Sequence, residues 1–195
     1  ALLDDLEGEA GRVTAVVTWE GRRLPADVVL VGIGAEPRTA LAAQAGLEVE
    51  NGVVVNATLL SSDPHISAIG DIAAFPQPGL GRRIRLESVQ NATDQARTVA
   101  ARLTGKGAAY EAVPWFWSDQ GALKLQIAGL PNGSEEQVVL GDPATRSFSV
   151  LCIADGVLRA VETVNRPADH MLARRLLAKG ARVTPAQARE AGLEL

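Results

Sequence analysis

The sequence has 195 residues, 47% of them hydrophobic, and a formal net charge of -4, so it is long enough for one large or two small domains with a sizeable core and too acidic to suggest nucleic acid as a main partner. No apolar run approaches the ~20 residues needed to cross a bilayer, and the amino end lacks a basic-then-apolar signal pattern. The single cysteine, Cys152, excludes an internal disulfide and a redox-active cysteine pair, which makes a cytoplasmic protein the simplest expectation.

Residues 13–19 alternate, with Val13, Ala15, Val17 and Trp19 on one face, and predict a strand that turns at Glu20-Gly21 and returns over residues 22–24. Residues 28–33 have no polar face, as in a central parallel strand covered on both sides. An ordinary β-meander fits the periodicity equally well. The nearest approach to a Gly-x-Gly-x-x-Gly fingerprint is Gly32-Ile33-Gly34-Ala35-Glu36-Pro37. Proline replaces its third glycine, so no pyrophosphate site is assigned there. Residues 39–45 predict a short helix closed by Gly46, and Asn51-Gly52 predicts a hairpin between residues 47–49 and 53–55.

Residues 66–69 form a short apolar run after Asp63-Pro64, stopped by Gly70-Asp71, and predict a buried strand opening into a turn. Such strand ends are where open α/β sheets bind ligands. A glycine there admits a ligand to the backbone, and Asp71 has the oxygens to accept hydrogen bonds from two hydroxyls of a sugar or sugar alcohol; a plain turn is the alternative. Residues 88–103 predict a helix, with Val89, Ala92, Ala96, Val99, Ala100 and Leu103 at spacings of three and four, Ser88 as cap and Gly105 beyond its end. Its first turn offers backbone N–H groups, including that of Val89, at the positive end of the helix dipole.

Trp115-Phe116-Trp117 holds two of the three tryptophans on one face of an extended segment, either as core aromatics or as a wall for a flat ligand. Beyond Gly121, Leu123, Leu125 and Ile127 alternate with polar or small residues; residues 148–153 and 157–164 read as strands; and Pro131-Asn132-Gly133, Gly141-Asp142-Pro143 and Asp155-Gly156 mark turns. A helix over residues 167–179 closes at Gly180, and Thr184-Pro185-Ala186-Gln187 is a capping-box start for a last one. This part predicts an antiparallel sheet with helices. His65 and His170 lack metal-ligand spacing, so no metal site is expected. Arg82, Arg83 and Arg85, with Arg166, Arg174, Arg175, Lys179 and Arg182, form two basic segments that are either solvated faces or steering patches. Glu87 is either a structural ion-pair partner or a site residue.

The stretch from Ser62 to Asp71 resembles the second flavin-binding motif of two-dinucleotide-fold flavoprotein reductases. Residues 26–37 resemble the return from the NAD domain to the FAD domain in such chains, and residues 85–96 and 113–120 are similar to the ferredoxin and rubredoxin reductase branch, which includes the reductase components of aromatic-ring dioxygenase and P450 systems. The resemblance implies an α/β plus α+β chain: a tail of the NAD-binding domain over 1–36, a second FAD-domain segment over 37–113, and an antiparallel-sheet reductase domain over 114–195. It also implies FAD and NAD(P)H as cofactors, with hydride taken from NAD(P)H and electrons passed singly to an acidic 2Fe-2S ferredoxin or a rubredoxin. In that scheme Gly70 admits the cofactor, Asp71 holds the ribitol, Val89 N–H meets the pyrimidine edge, and Trp117 covers the ring with Trp115 as second choice. No catalytic acid or base is assigned. The resemblance implies two Gly-x-Gly-x-x-Gly fingerprints ahead of the matched region, and with neither in this sequence the chain is expected to be the carboxyl-terminal part of such a reductase and to bind FAD weakly or not at all by itself. The alternative is a non-catalytic docking or dimerisation module; a disulfide reductase is disfavoured by the lone cysteine.

Overall fold

A computed structural model describes residues 2–131 and 136–193, and the chain divides into two units, residues 1–36 and 37–195. The first unit is an antiparallel meander of β1 (Leu3–Glu9), β2 (Arg12–Thr18) and β3 (Arg23–Pro25), paired in that order. Ala10 and Gly11, both at positive φ, supply the two-residue turn between β1 and β2 whose twist suits a hairpin. Sequence alternation did not reveal β1, because consecutive Asp4 and Asp5 interrupt it; the register also shifts between Leu3 and Asp5. The expected parallel strand over residues 28–33 is absent. Val28, Leu30 and Ile33 are 84%, 96% and 90% exposed, and no described residue pairs with that run. An apolar run becomes a central strand only where neighbours meet both its edges and both its faces.

The second unit begins with α1 (Ala40–Gln44), which ends at left-handed Gly46, and a four-stranded sheet of β4 (Val49–Glu50), β5 (Gly52–Val54), β6 (Ala73–Pro76) and β7 (Arg83–Ile84). Its β5–β6 pair is parallel, matching Val53 to Ala73, and the others are antiparallel. The strand expected over residues 66–69 is not formed. Ile66 and Ile69 are partly exposed, and the buried run is instead Ala73-Ala74-Phe75, after Gly70-Asp71 rather than before it. Pairing with β5 decides which of the two neighbouring apolar runs becomes the strand.

Next comes α2 (Val89–Leu103), followed by a five-stranded antiparallel sheet of β8 (Trp115–Gln120), β9 (Leu123–Gly129), β10 (Glu136–Asp142), β11 (Ser147–Ala154) and β12 (Val157–Val164), ordered β10-β11-β12-β9-β8. Asn132 and Gly133 of the expected turn lie outside the described residues. Gly129 has φ +81, and a Cβ there would stand 2.2 Å from the Arg159 carbonyl oxygen, so only glycine lets β9 pass β12 at this point. Two helices, α3 (Pro167–Ala178) and α4 (Pro185–Ala191), pack an apolar layer onto the sheet. The latter begins with the Thr184–Gln187 capping box seen in the sequence. Leu151, Val161, Ala173 and Ala188 are fully buried there, and Cys152 is also buried. Among the described residues no helix is long and apolar enough to cross a membrane, and no three metal-ligating side chains cluster.

Candidate functional site

The packing face of α2 differs from the apolar stripe expected of it. Val89 is 68% and Leu103 75% exposed, whereas Asn91 and Gln95 are fully buried and Gln90 nearly so. Each buried amide has a task. Gln95 Oε1 accepts the Gly70 N–H at 2.7 Å, Asn91 Nδ2 donates to the Leu86 carbonyl at 3.1 Å, and Gln90 Oε1 accepts the Trp115 N–H at 3.1 Å. Tyr110 adds a hydroxyl donating to Asn91 Oδ1 at 3.1 Å. Burial, then the neighbouring Asp94 charge, pushes the Tyr110 phenol up to about 12. Buried hydrogen bonds of this kind are directional, so α2 fixes the turn before β6 and the start of β8 to its own register.

Ser88 caps the helix, its hydroxyl accepting the Asn91 N–H at 3.1 Å, and the first intrahelical bond runs from Ala92 N–H to the Ser88 carbonyl. The N–H groups of Val89 and Gln90 therefore fall outside the ladder. Gly70 opens a 3-10 turn over Gly70–Ile72 with φ +71, and a Cβ there would lie 3.4 Å from Ala92 Cβ. The glycine is buried, and it allows the turn to lie against the helix.

These constraints converge on a cavity of about 420 Å³ lined by Asp71, Glu87, Ser88, Val89, Ala92, Phe116 and Trp117. Asp71, Val89 and Trp117 thus share one cavity, while Gly70, buried in the same turn as Asp71, does not line it. Trp115 does not line it. Its ring lies 5.6 Å from that of Trp117 and 5.5 Å from that of His170, with the Arg174 guanidinium 4.4 Å above it. It borders a separate cavity of about 350 Å³ shared with Met171, Arg174 and Arg175. His170 is 2% exposed, and neither ring nitrogen has a partner among the described residues. Burial, then the Arg174 charge, holds its pKa below the usual histidine value.

Most of the other cations noted in the sequence are engaged locally. Arg83 reaches Glu50 at 3.8 Å, Arg85 pairs with Glu87 at 2.6 Å, Arg166 with Asp169 at 2.9 Å, and Arg182 donates to the Asp155 carbonyl at 3.2 Å. Glu87 thus has an ion-pair partner and a place on the cavity wall. Sequence reasoning passed over Gln90, Gln95 and Phe116; the signal available for the amides was polar residues recurring every four or five positions along α2.

Residues 2–96 match the pyridine nucleotide-disulphide oxidoreductase family and residues 115–195 the Reductase C-terminal family. The chain is 50% identical over 185 residues to rhodocoxin reductase of Rhodococcus erythropolis, covering 95% of this chain and 43% of that protein. It is 42% identical over 181 residues to putidaredoxin reductase of Pseudomonas putida, covering 93% and 43%. The crystal structure of a ferredoxin reductase from Rhodopseudomonas palustris superposes with a TM-score of 0.92 at 49% identity, over 98% of this chain and 48% of that one. That of the covalent putidaredoxin reductase–putidaredoxin complex gives 0.91 at 40%, over 98% and 47%. The chain therefore spans less than half the length of these relatives, and its fold is that of the pyridine nucleotide-disulphide oxidoreductases with an antiparallel sheet in the carboxyl-terminal region.

Proposed function

We propose that this chain, which carries a pyridine nucleotide-disulphide oxidoreductase segment followed by a Reductase C-terminal domain, supplies half of the flavin site of an FAD-dependent reductase moving electrons from NAD(P)H to a ferredoxin or rubredoxin. One observation carries the reading: Asp71, the amino end of α2 and Trp117 surround a single cavity. They offer a carboxylate for hydroxyls, helix-terminal N–H groups for an electron-rich ring edge, and an indole face for a flat ring, which is the donor set a flavin requires. When bound, the flavin supplies the two-electron to one-electron conversion; position, shielding and electrostatics come from the protein. Asp71 accepts hydrogen bonds from the ribityl hydroxyls. The Val89 N–H and the dipole behind it favour negative charge at the pyrimidine edge. Phe116 and Trp117 keep water from the ring face. In this reading residues 1–36 end an NAD-binding domain, residues 37–113 complete an FAD-binding domain, residues 114–195 cap the site, and the work is done in the cytoplasm.

The partner is an acidic iron–sulfur protein such as a 2Fe-2S ferredoxin. Trp115 is in contact with Trp117 on one side and lies under Arg174 on the other, with Arg175 alongside, so a cationic surface adjoins the aromatic pair. Docking there weakens as salt screens the charges. The deciding experiment is the intact mass and visible spectrum of the full natural protein, followed by NAD(P)H-driven ferredoxin reduction at low and high salt. Flavin bands, with reduction that slows as salt rises, support the reading. A natural protein without flavin bands that still binds ferredoxin, or itself, overturns it in favour of a docking or dimerisation module.

A further inference from the structure

The charge on one wall of the cavity is set by a residue that does not line it. Arg85, whose side chain is 11% exposed, directs Nη1 to the Asp71 carbonyl at 2.9 Å and to Glu87 Oε1 at 2.6 Å, and Nε to Asn51 Oδ1 at 3.3 Å. These three partners lie on separate pieces of chain: the β4–β5 hairpin tip, the turn before β6, and the approach to α2. Gly52 makes the span feasible. At φ +116 its Cβ would stand 2.5 Å from the Ile72 carbonyl oxygen and 3.0 Å from Arg85 Cδ, so any side chain there would push the hairpin away from both.

The ionisable side chains lining the cavity, Asp71 and Glu87, are both carboxylates. Two uncompensated negative charges would oppose any gain of negative charge by a ligand between them. One guanidinium behind the wall cancels one of them.

We propose that Arg85 is a positioning residue of this cavity: its guanidinium holds the Asp71 turn against the hairpin and neutralises Glu87, and thereby raises the reduction potential of a flavin bound there. The inference rests on the flavin reading above and deepens it. In the flavin-loaded full natural chain, R85Q is expected to shift the preference toward oxidised flavin by about tenfold, which lowers a two-electron midpoint by about 30 mV. The double variant R85Q/E87Q removes the stranded carboxylate together with its partner and should recover most of that shift. R85K keeps the charge and should hold the potential near its native value. A purely structural arginine predicts instead that the double variant stays as low as R85Q. A potential that ignores R85Q, or fails to return in the double variant, overturns the charge role.

Hydrogen exchange on the flavin-free chain tests the holding role separately. R85Q should accelerate exchange of the amides of residues 71–73 by roughly fivefold while E87Q leaves them alone; unchanged exchange in R85Q overturns that role. If the full chain takes up no flavin, the flavin reading fails and the exchange result still decides whether Arg85 holds the turn.

Discussion

Residues 37–195 contain two apolar interiors, and among the described residues only the one under α2 has buried side-chain amides of its helix bonded to neighbouring backbone. Under α3 and α4 the interior is aliphatic: Leu151, Val161, Ile153 and Leu176 meet side chains of their own kind. Under α2 a smaller apolar cluster of Leu59, Phe75 and Tyr110 meets Val99, and beside it Gln90, Asn91 and Gln95 are buried, each bonded to a backbone group outside the helix. Aliphatic packing is nondirectional and yields stability in proportion to buried area. Buried amides add little net stability when satisfied and cost about 1–3 kcal/mol when left unmet, so they select one geometry rather than deepen the well. The candidate cavity lies beside the second kind of interior, where position matters more than depth.

The strongest test of that contrast is Leu151→Ala, which empties the middle of the apolar layer. It should cost about 3–4 kcal/mol in denaturant unfolding, while any ligand affinity of the cavity changes little. Next is Gln95→Leu, which preserves bulk but orphans the Gly70 N–H. Its expected cost is about 2 kcal/mol, with faster amide exchange in the Gly70–Ile72 turn. If that turn exchanges as slowly as in the wild type, the positional role of the amides is wrong.

Ser88→Ala, which removes the α2 cap, should cost about 1 kcal/mol and fray the helix end at the cavity. A smaller effect separates the interiors by pH. His170 is held below its ordinary value of 6.5. The unfolded chain therefore takes up a proton that the fold resists, and stability falls as pH drops below 6.5 toward the folded value. Chemical denaturation at stepped pH should show that decline, and His170→Phe should flatten it. Least of all, Arg189→Ala breaks an exposed pair with Glu136 and should cost no more than about 0.5 kcal/mol.

What could be read from the sequence follows from how local each cause is. The Thr184 capping box, the Asn51-Gly52 hairpin and the Ser88 cap depend on neighbours within a few residues; both caps formed where they were read, and the hairpin formed with Gly52 inside β5, paired with Glu50, so that Asn51 alone makes the tip. Residues 28–33 and 66–69 share the composition of a buried strand, but a strand also requires partners, and composition says nothing of those. On α2 Val99 of the expected stripe meets the apolar cluster, but Val89 and Leu103 at the two ends are exposed, and the fully buried side chains are amides, because the neighbouring segments present backbone N–H and C=O groups. Motif resemblance picked out Asp71, Val89 and Trp117, which come from three distant stretches and line one cavity. Arg85 opens one of the family-like stretches and belongs to a basic segment that reads as a solvated face or a steering patch; its contact with a hairpin tip 34 positions away has no local signal.

The parallel pairing of Val53 with Ala73 also bears on the order of assembly. Antiparallel neighbours such as β8 with β9 and β11 with β12 close through short turns, whereas joining β5 to β6 first requires a loop that contains the Gly70-Asp71 turn. Loop closure of that length delays pairing. Pulse-labelled exchange during refolding should therefore protect Cys152 before Ala74, leaving the ligand cavity as the last part of residues 37–195 to be completed.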